Sequence, residues 1–233
     1  MNPFPRPHVL INVASTADGK IDSTQRKGAA ISSTQDLARV DGLRAEVDAV
    51  MVGGHTLLAE DPRLTVKSRL LRARRLEQGR PENPAKVGII SLADLRPECK
   101  FLTSGPARRL IYTSLRTPAG KNQELRNAGA EVFVFGQERV DLEPVLGSLH
   151  EQGIQNLLVE GGGTLIAEFF RLGLADELML YIAPIIFGGA QAPSLADGPG
   201  FNPLDPPRLK LVSVKQLDGE GGLFVHYQIK NEE

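Results

Sequence analysis

The chain has 233 residues, a formal net charge of −1 and ordinary hydrophobic content, which fits one large α/β domain and argues against a dedicated nucleic-acid binder with its usual basic excess. Its single cysteine, Cys99, excludes an internal disulfide framework and a multi-cysteine zinc site, and suits a reducing cytoplasm. No apolar run approaches the roughly 20 residues of a membrane helix, and the proline-rich start from Met1 to His8 lacks the pattern of a signal peptide.

Along the chain, His8 to Ser15 reads as a buried strand ending in the turn Thr16-Ala17-Asp18-Gly19-Lys20. Ser32 with Gln35 forms a capping box that opens a helix through Leu37, Val40 and Leu43-Arg44. Asp48 to Gly53 is a second buried strand, followed by a short helix and the turn Asp61-Pro62. Lys67 to Arg80 is a basic stretch whose leucines recur at helical spacing, which predicts a solvated helix packed by one face rather than an RNA contact. Short strands are expected at Val87 to Ser91, Leu110 to Thr113 and Glu131 to Phe135, and a helix at Asp141 to Gln152. Asn156 to Glu160 is a strand, Thr164 to Leu172 a helix, and Glu177 to Ile186, Leu209 to Leu217 and Leu223 to Ile229 are strands. Alternating strands and helices imply a mostly parallel sheet flanked by helices, and the last strands, with no helix between them, should pair antiparallel.

The strongest chemical signal is the run from Leu157 to Gly173, where a strand meets Gly161-Gly162-Gly163 and then a helix. Glycines beyond a strand's carboxyl end let a phosphate approach the backbone, and the helix N-terminus favours its charge. A ligand-free strand–helix turn has equal weight on this stretch alone. Glu160 could hydrogen-bond ring and amino N–H groups or move a proton. Arg44, Arg63 and Lys67 could meet a substrate phosphate, with Thr56 nearby in sequence, although each cation taken singly is more often structural. Lys20 could face a cleft or water. His8, His55, His150 and His226 show no metal-ligand spacing, and no serine nucleophile elbow appears. No catalytic acid or base stands out, which favours chemistry carried by a cofactor that the protein positions.

Six stretches together carry a resemblance: VASTADGKI, ISSTQDLARVDGLRAEVDAVMVG, EDPRLTV, LLVEGGGTL, LADELMLYIAPIIFGG and APSLADGPGF. In this order they resemble the riboflavin-biosynthesis pyrimidine reductase family. That family comprises stand-alone archaeal and fungal reductases and the C-terminal domain of bacterial bifunctional deaminase–reductases. The resemblance implies a dihydrofolate-reductase-like α/β fold, a single reductase domain over residues 1–233 and a homodimer. It implies NADPH reduction of 2,5-diamino-6-ribosylamino-4(3H)-pyrimidinone 5′-phosphate to the ribitylamino compound, with hydride delivered to C1′ of an opened imine. The zinc-deaminase signature is missing, which matches the stand-alone type.

By the family pattern, Thr56, Gly162, Gly163, Thr164 and Leu165 would hold NADPH. Ala14 would lie along the nicotinamide, Ser91 and Val140 near the adenosine half, and Glu60 near cofactor and substrate. Glu160 would recognise the pyrimidinone, and Arg44, Leu64 and Lys67 would line the ribose-phosphate end. The chain departs from the pattern at Glu60 (usually Asp), Asp41 (usually His), Lys67 (often Arg) and Ile90 (usually Asp). These departures keep open a sibling reductase acting on a pterin or another small carbonyl or imine. A cation must meet the cofactor's 2′-phosphate, and Arg108, Arg116 and the stretch from Lys67 to Arg80 are the candidates.

Overall fold

A computed structural model describes residues 4–230, and its contacts divide them into two compact units. One unit comprises residues 4–7 and 41–158. Its strands are β2 (Ala49–Gly53), β3 (Ala85–Ile89), β4 (Arg109–Thr113), β5 (Glu131–Val134) and most of β6 (Asn156–Val159), in the order β5-β4-β3-β2-β6. Parallel registers join β2 to β3, β3 to β4 and β4 to β5. Every residue of β2 is buried, as a strand covered on both faces requires. Asp48 joins the starts of β2 and β6: its carboxylate accepts from the amides of Gln155 and Asn156 at 3.0 and 2.9 Å.

The other unit comprises residues 8–40 and 159–230. It holds β1 (His8–Thr16), β7 (Glu177–Ala183), β8 (Arg208–Gln216) and β9 (Leu223–Lys230), in the order β1-β7-β9-β8. β7 runs parallel to β1, whereas β9 pairs antiparallel with both β7 and β8, as the missing helices between the last strands imply. Tyr181 of β7 is buried with Ile31 and Ala183, and Ala14 and Leu217 pack on this cluster. Its hydroxyl donates to Asp218 at 2.8 Å, which satisfies a polar group that burial would otherwise strand.

Among the described residues, seven helices complete the elements: α1 (Thr34–Glu46), α2 (Gly54–Glu60), α3 (Arg69–Glu77), α4 (Lys100–Thr103), α5 (Ala119–Asn127), α6 (Leu142–Glu151) and α7 (Gly163–Arg171). Two expectations need correction. The cap of α1 is Ser33 rather than Ser32, because the Ser33 hydroxyl accepts from the Asp36 amide at 3.2 Å. That frame puts Asp36, not Gln35, at the third helical position, where it is buried and meets Arg39 at 2.7 Å. In α3 the leucines are not the packed face, since Leu70 and Leu76 are exposed and Arg75 is the buried residue. The Arg75 guanidinium donates to the carbonyls of Ala45, Val47 and Pro81 at 2.8–2.9 Å, so it closes the open end of α1. Burial lowers its pKa to about 10, so it remains charged near neutrality.

Candidate functional site

In the unit built on β1, three sequence stretches come together around the glycine turn. The turn after β1 closes as expected, with the Thr16 amide donating to the Lys20 carbonyl at 2.8 Å and Gly19 in the left-handed region at φ 78°. Asp18 inside it accepts from the Thr16 hydroxyl at 2.5 Å and from the Gly188 amide at 2.8 Å. These bonds, the Thr16 hydroxyl first, hold its carboxyl below the usual carboxylate range. Lys20 points along the protein, donating to the Ala192 carbonyl at 3.2 Å, and the Ile21 amide meets the Pro193 carbonyl at 3.0 Å. The same segment then turns onto the glycines. The Asp197 amide donates to the Gly163 carbonyl at 3.1 Å, and a Cβ at Gly163 would stand 2.4 Å from the Ser194 carbonyl oxygen. Gly163 is therefore glycine because a backbone crosses over it.

Gly162 caps α7 with extended backbone and no side-chain hydrogen bond, and the first turn holds no acidic residue. The first amide to find an intrahelical carbonyl is that of Leu165, which donates to Gly162 at 3.0 Å. The amides of Gly163 and Thr164 thus face out of the positive end of a nine-residue helix. Thr164 is exposed and Leu165 is buried, while Glu160 and Gly162 are half-buried. Ala14 is half-buried on β1, opposite Tyr181.

In the other unit, the predicted residues fall into two groups. The first surrounds residues 64–68. Arg44, half-buried on α1, donates to the Thr65 carbonyl at 3.2 Å. Leu64 is buried with φ 50°, an unusual conformation for a branched side chain, and Lys67 is exposed. Asp41, buried on α1, accepts from the amides of Lys67 and Ser68 at 2.6 and 2.8 Å. Asn83 accepts from the Val66 amide at 2.9 Å, and Arg72 donates to the Val66 and Lys67 carbonyls at 2.9 and 2.8 Å. The segment that presents Lys67 is held from four directions by side chains. Sequence reasoning noted Asp41 only as a departure and did not find Asn83 or Arg72. No local pattern signals a carboxylate that grips an amide 26 residues away.

The second group lies at the carboxyl ends of β3, β4 and β5. The Val140 amide donates to the Ser91 hydroxyl at 3.3 Å, so these two predicted residues meet. The Ser91 carbonyl accepts from the hydroxyls of Ser114 and Thr117 at 2.8 and 3.3 Å. α2 starts against this rim, since a Cβ on Gly54 would come within 2.9 Å of Ile90. Thr56 is buried in the first half of α2, whereas Glu60 is exposed at its last residue.

A strand, a glycine run and a helix that opens without a side-chain cap define an α/β protein with a helix N-terminus open at a strand end. The chain belongs to the family of the RibD C-terminal domain, whose model matches residues 7–221. It is 45% identical over 218 residues to the 2,5-diamino-6-ribosylamino-4(3H)-pyrimidinone 5′-phosphate reductase of Archaeoglobus fulgidus, covering 93% of this chain and 95% of that one. The protein of the same name from Methanothermobacter thermautotrophicus is 42% identical, covering 97% of this chain and 99% of the other. Among solved structures, RibD of Acinetobacter baumannii superposes with a TM-score of 0.80 at 24% identity, over 97% of this chain and 59% of that one, and this likeness shows the shared fold. Among the described residues, no helix is long and apolar enough to cross a membrane.

Proposed function

We propose that this chain is a cytoplasmic, NADPH-dependent reductase of 2,5-diamino-6-ribosylamino-4(3H)-pyrimidinone 5′-phosphate, with residues 1–233 serving one reductase domain. The observation that carries the reading is the 45% identity to the Archaeoglobus fulgidus reductase across nearly the whole of both chains. The glycine turn fits such a cofactor, because the Gly163 and Thr164 amides stand at a helix end with no acid in its first turn.

When bound, the cofactor supplies hydride for C1′ of the substrate's sugar. The chain's own residues bind and orient. Gly162, Gly163 and Thr164 hold cofactor phosphate through backbone, Leu165 lines the same cofactor site, Thr56 adds a hydroxyl, Ala14 lies along the nicotinamide, and Ser91 and Val140 take the adenosine half. Glu60 stands near cofactor and substrate. Glu160 accepts hydrogen bonds from the pyrimidinone's N–H groups, and Arg44, Leu64 and Lys67 receive the ribose phosphate. No residue is assigned as proton donor.

The enzyme is proposed to act as a homodimer. Support comes from β8, an edge strand whose nine residues are all exposed, including Leu211, Val212 and Val214. An edge strand that leaves Leu209, Leu211, Val212 and Val214 exposed calls for a cover, and a second copy supplies one.

Purified protein should oxidise NADPH when the ribosylamino-pyrimidinone phosphate is supplied and not with a panel of pterins. Absence of turnover beside an active relative, or a preference for a pterin, rejects the reading. Light scattering should give twice the chain mass, and a monomer at assay concentration rejects the dimer.

A further inference from the structure

We propose that Arg116 reads the cofactor's 2′-phosphate and so sets preference for NADPH over NADH. The proposal rests on the cofactor reading above. A 2′-phosphate needs an exposed cation on the ligand side of the sheet, ideally the fork of an arginine.

The structure sorts the candidate cations. Arg108 precedes β4 and so stands at its amino end, away from the carboxyl ends where ligands gather. It is also committed, donating twice to Glu131 at 3.0 and 2.8 Å and once to Gln152 at 2.7 Å. In the basic stretch, Arg72, Arg75 and Arg80 spend their forks on carbonyls and carboxylates of their own unit. Arg74 lies in the last turn of α3 beside Glu46, toward the amino end of β2. Lys67 belongs to the segment proposed for the substrate phosphate, and Arg69 opens α3 directly after it.

Arg116 has the opposite surroundings. It lies three residues beyond the carboxyl end of β4. Its amide donates to the Ser114 hydroxyl at 3.3 Å, and that hydroxyl donates to the Ser91 carbonyl at 2.8 Å. Arg116 is thus tied by two hydrogen bonds to Ser91, which holds Val140 in turn. Its side chain is 50% exposed, and its carboxylate neighbour, Glu138, is 3.8 Å away and 86% exposed, so the fork can turn to an incoming phosphate. α5 begins three residues later with no acid in its first turn, so its positive end adds to the charge at this rim.

The test is steady-state kinetics with NADPH and NADH on wild type, Arg116→Ala, Arg116→Lys and Arg139→Ala, the last removing a neighbouring cation of the same rim. Arg116→Ala should raise KM for NADPH at least tenfold and leave KM for NADH within twofold, while Arg116→Lys should recover part of the loss. Equilibrium binding of adenosine 2′,5′-bisphosphate against adenosine 5′-phosphate reads the same contact without turnover. An unchanged NADPH/NADH ratio in Arg116→Ala, an equal loss with both cofactors, or a loss confined to Arg139→Ala overturns the proposal. A wild type that uses neither cofactor rejects the cofactor reading itself, and is told apart in the first measurement.

Discussion

The glycine turn at 160–163 and the segment at 64–68 solve the same problem by opposite means. Each holds irregular backbone in place, and each carries residues proposed to meet a ligand. The glycine turn is held by backbone: the chain at 194–197 crosses Gly163 so closely that no side chain fits. The segment at 64–68 is held by side chains, with Asp41, Asn83, Arg44 and Arg72 each taking one or two of its peptide groups. Backbone bracing demands one residue type at one position. Side-chain bracing spreads the demand over four residues, each replaceable at partial cost.

That contrast predicts unequal responses to small changes. Gly163→Ala should be the most damaging, because the obstacle is a carbonyl oxygen at 2.4 Å and not a side chain that can swing aside. The expected loss is about 3 kcal/mol, the upper part of the range for overpacking, with turnover falling in parallel. Urea unfolding of the variant measures it. An unchanged midpoint would mean that the crossing chain yields, and the backbone-bracing account would be wrong.

The same contrast explains what could be read from the sequence. The glycine turn was legible because strand, glycines and helix follow one another within LLVEGGGTL. The parallel strands and antiparallel C-terminal strands were legible for a similar reason, since apolar runs and the presence or absence of helices between them are local features. The braces were not. Asp41 lies on a helix between Val40 and Gly42, and nothing in that helix says which backbone it will meet. Arg75 reads as one charge among many in a basic stretch, yet it is buried because three carbonyls at the end of α1 and beyond α3 need a donor. The start of α1 lies one residue later than the sequence suggests because Ser32 and Ser33 both suit a cap, and the pairing of buried Asp36 with Arg39 decides between them.

Asp41→Ala should have the next largest effect. It strips the Lys67 and Ser68 amides of their acceptor at once, at a cost of about 2 kcal/mol. Asp41→Asn keeps an acceptor oxygen and should recover about half of that. If Lys67 receives the substrate phosphate, KM for the pyrimidinone phosphate should rise in Asp41→Ala while KM for NADPH stays near wild type. Equal stability in the Ala and Asn variants would show that side-chain bracing is dispensable here. A change in both KM values would show that the brace serves the whole unit.

The smallest effect concerns what stands behind the braced segment. The Lys86 ammonium, buried on β3, donates to the carbonyls of Phe101 and Ser104 at 3.0 and 2.5 Å. The chain just beyond, at Gly105 and Pro106, backs the segment: a Cβ on Gly105 would meet the Thr65 methyl at 3.0 Å, and Asn83 donates to the Pro106 carbonyl at 3.3 Å. Burial, with the nearby Arg109 charge, lowers the Lys86 pKa from 10.5 to about 8. Between these values the unfolded chain holds a proton that the folded chain has released, so stability should rise with pH from about 8 to 10.5. The slope from this one group is at most about 1.4 kcal/mol per pH unit. Tyr112, Tyr181 and Cys99, all raised by burial, oppose it at high pH, so the wild-type curve alone does not isolate the lysine. Subtracting the stability of Lys86→Met, measured by urea unfolding across the same pH range, does. The difference should grow in favour of wild type as pH rises. A flat difference would mean that Lys86 keeps its proton at these pH values, with the two carbonyls supporting the charge better than burial opposes it. In that case the backing of the segment at 64–68 would be as insensitive to alkaline pH as the glycine turn, which carries no titratable brace at Gly163.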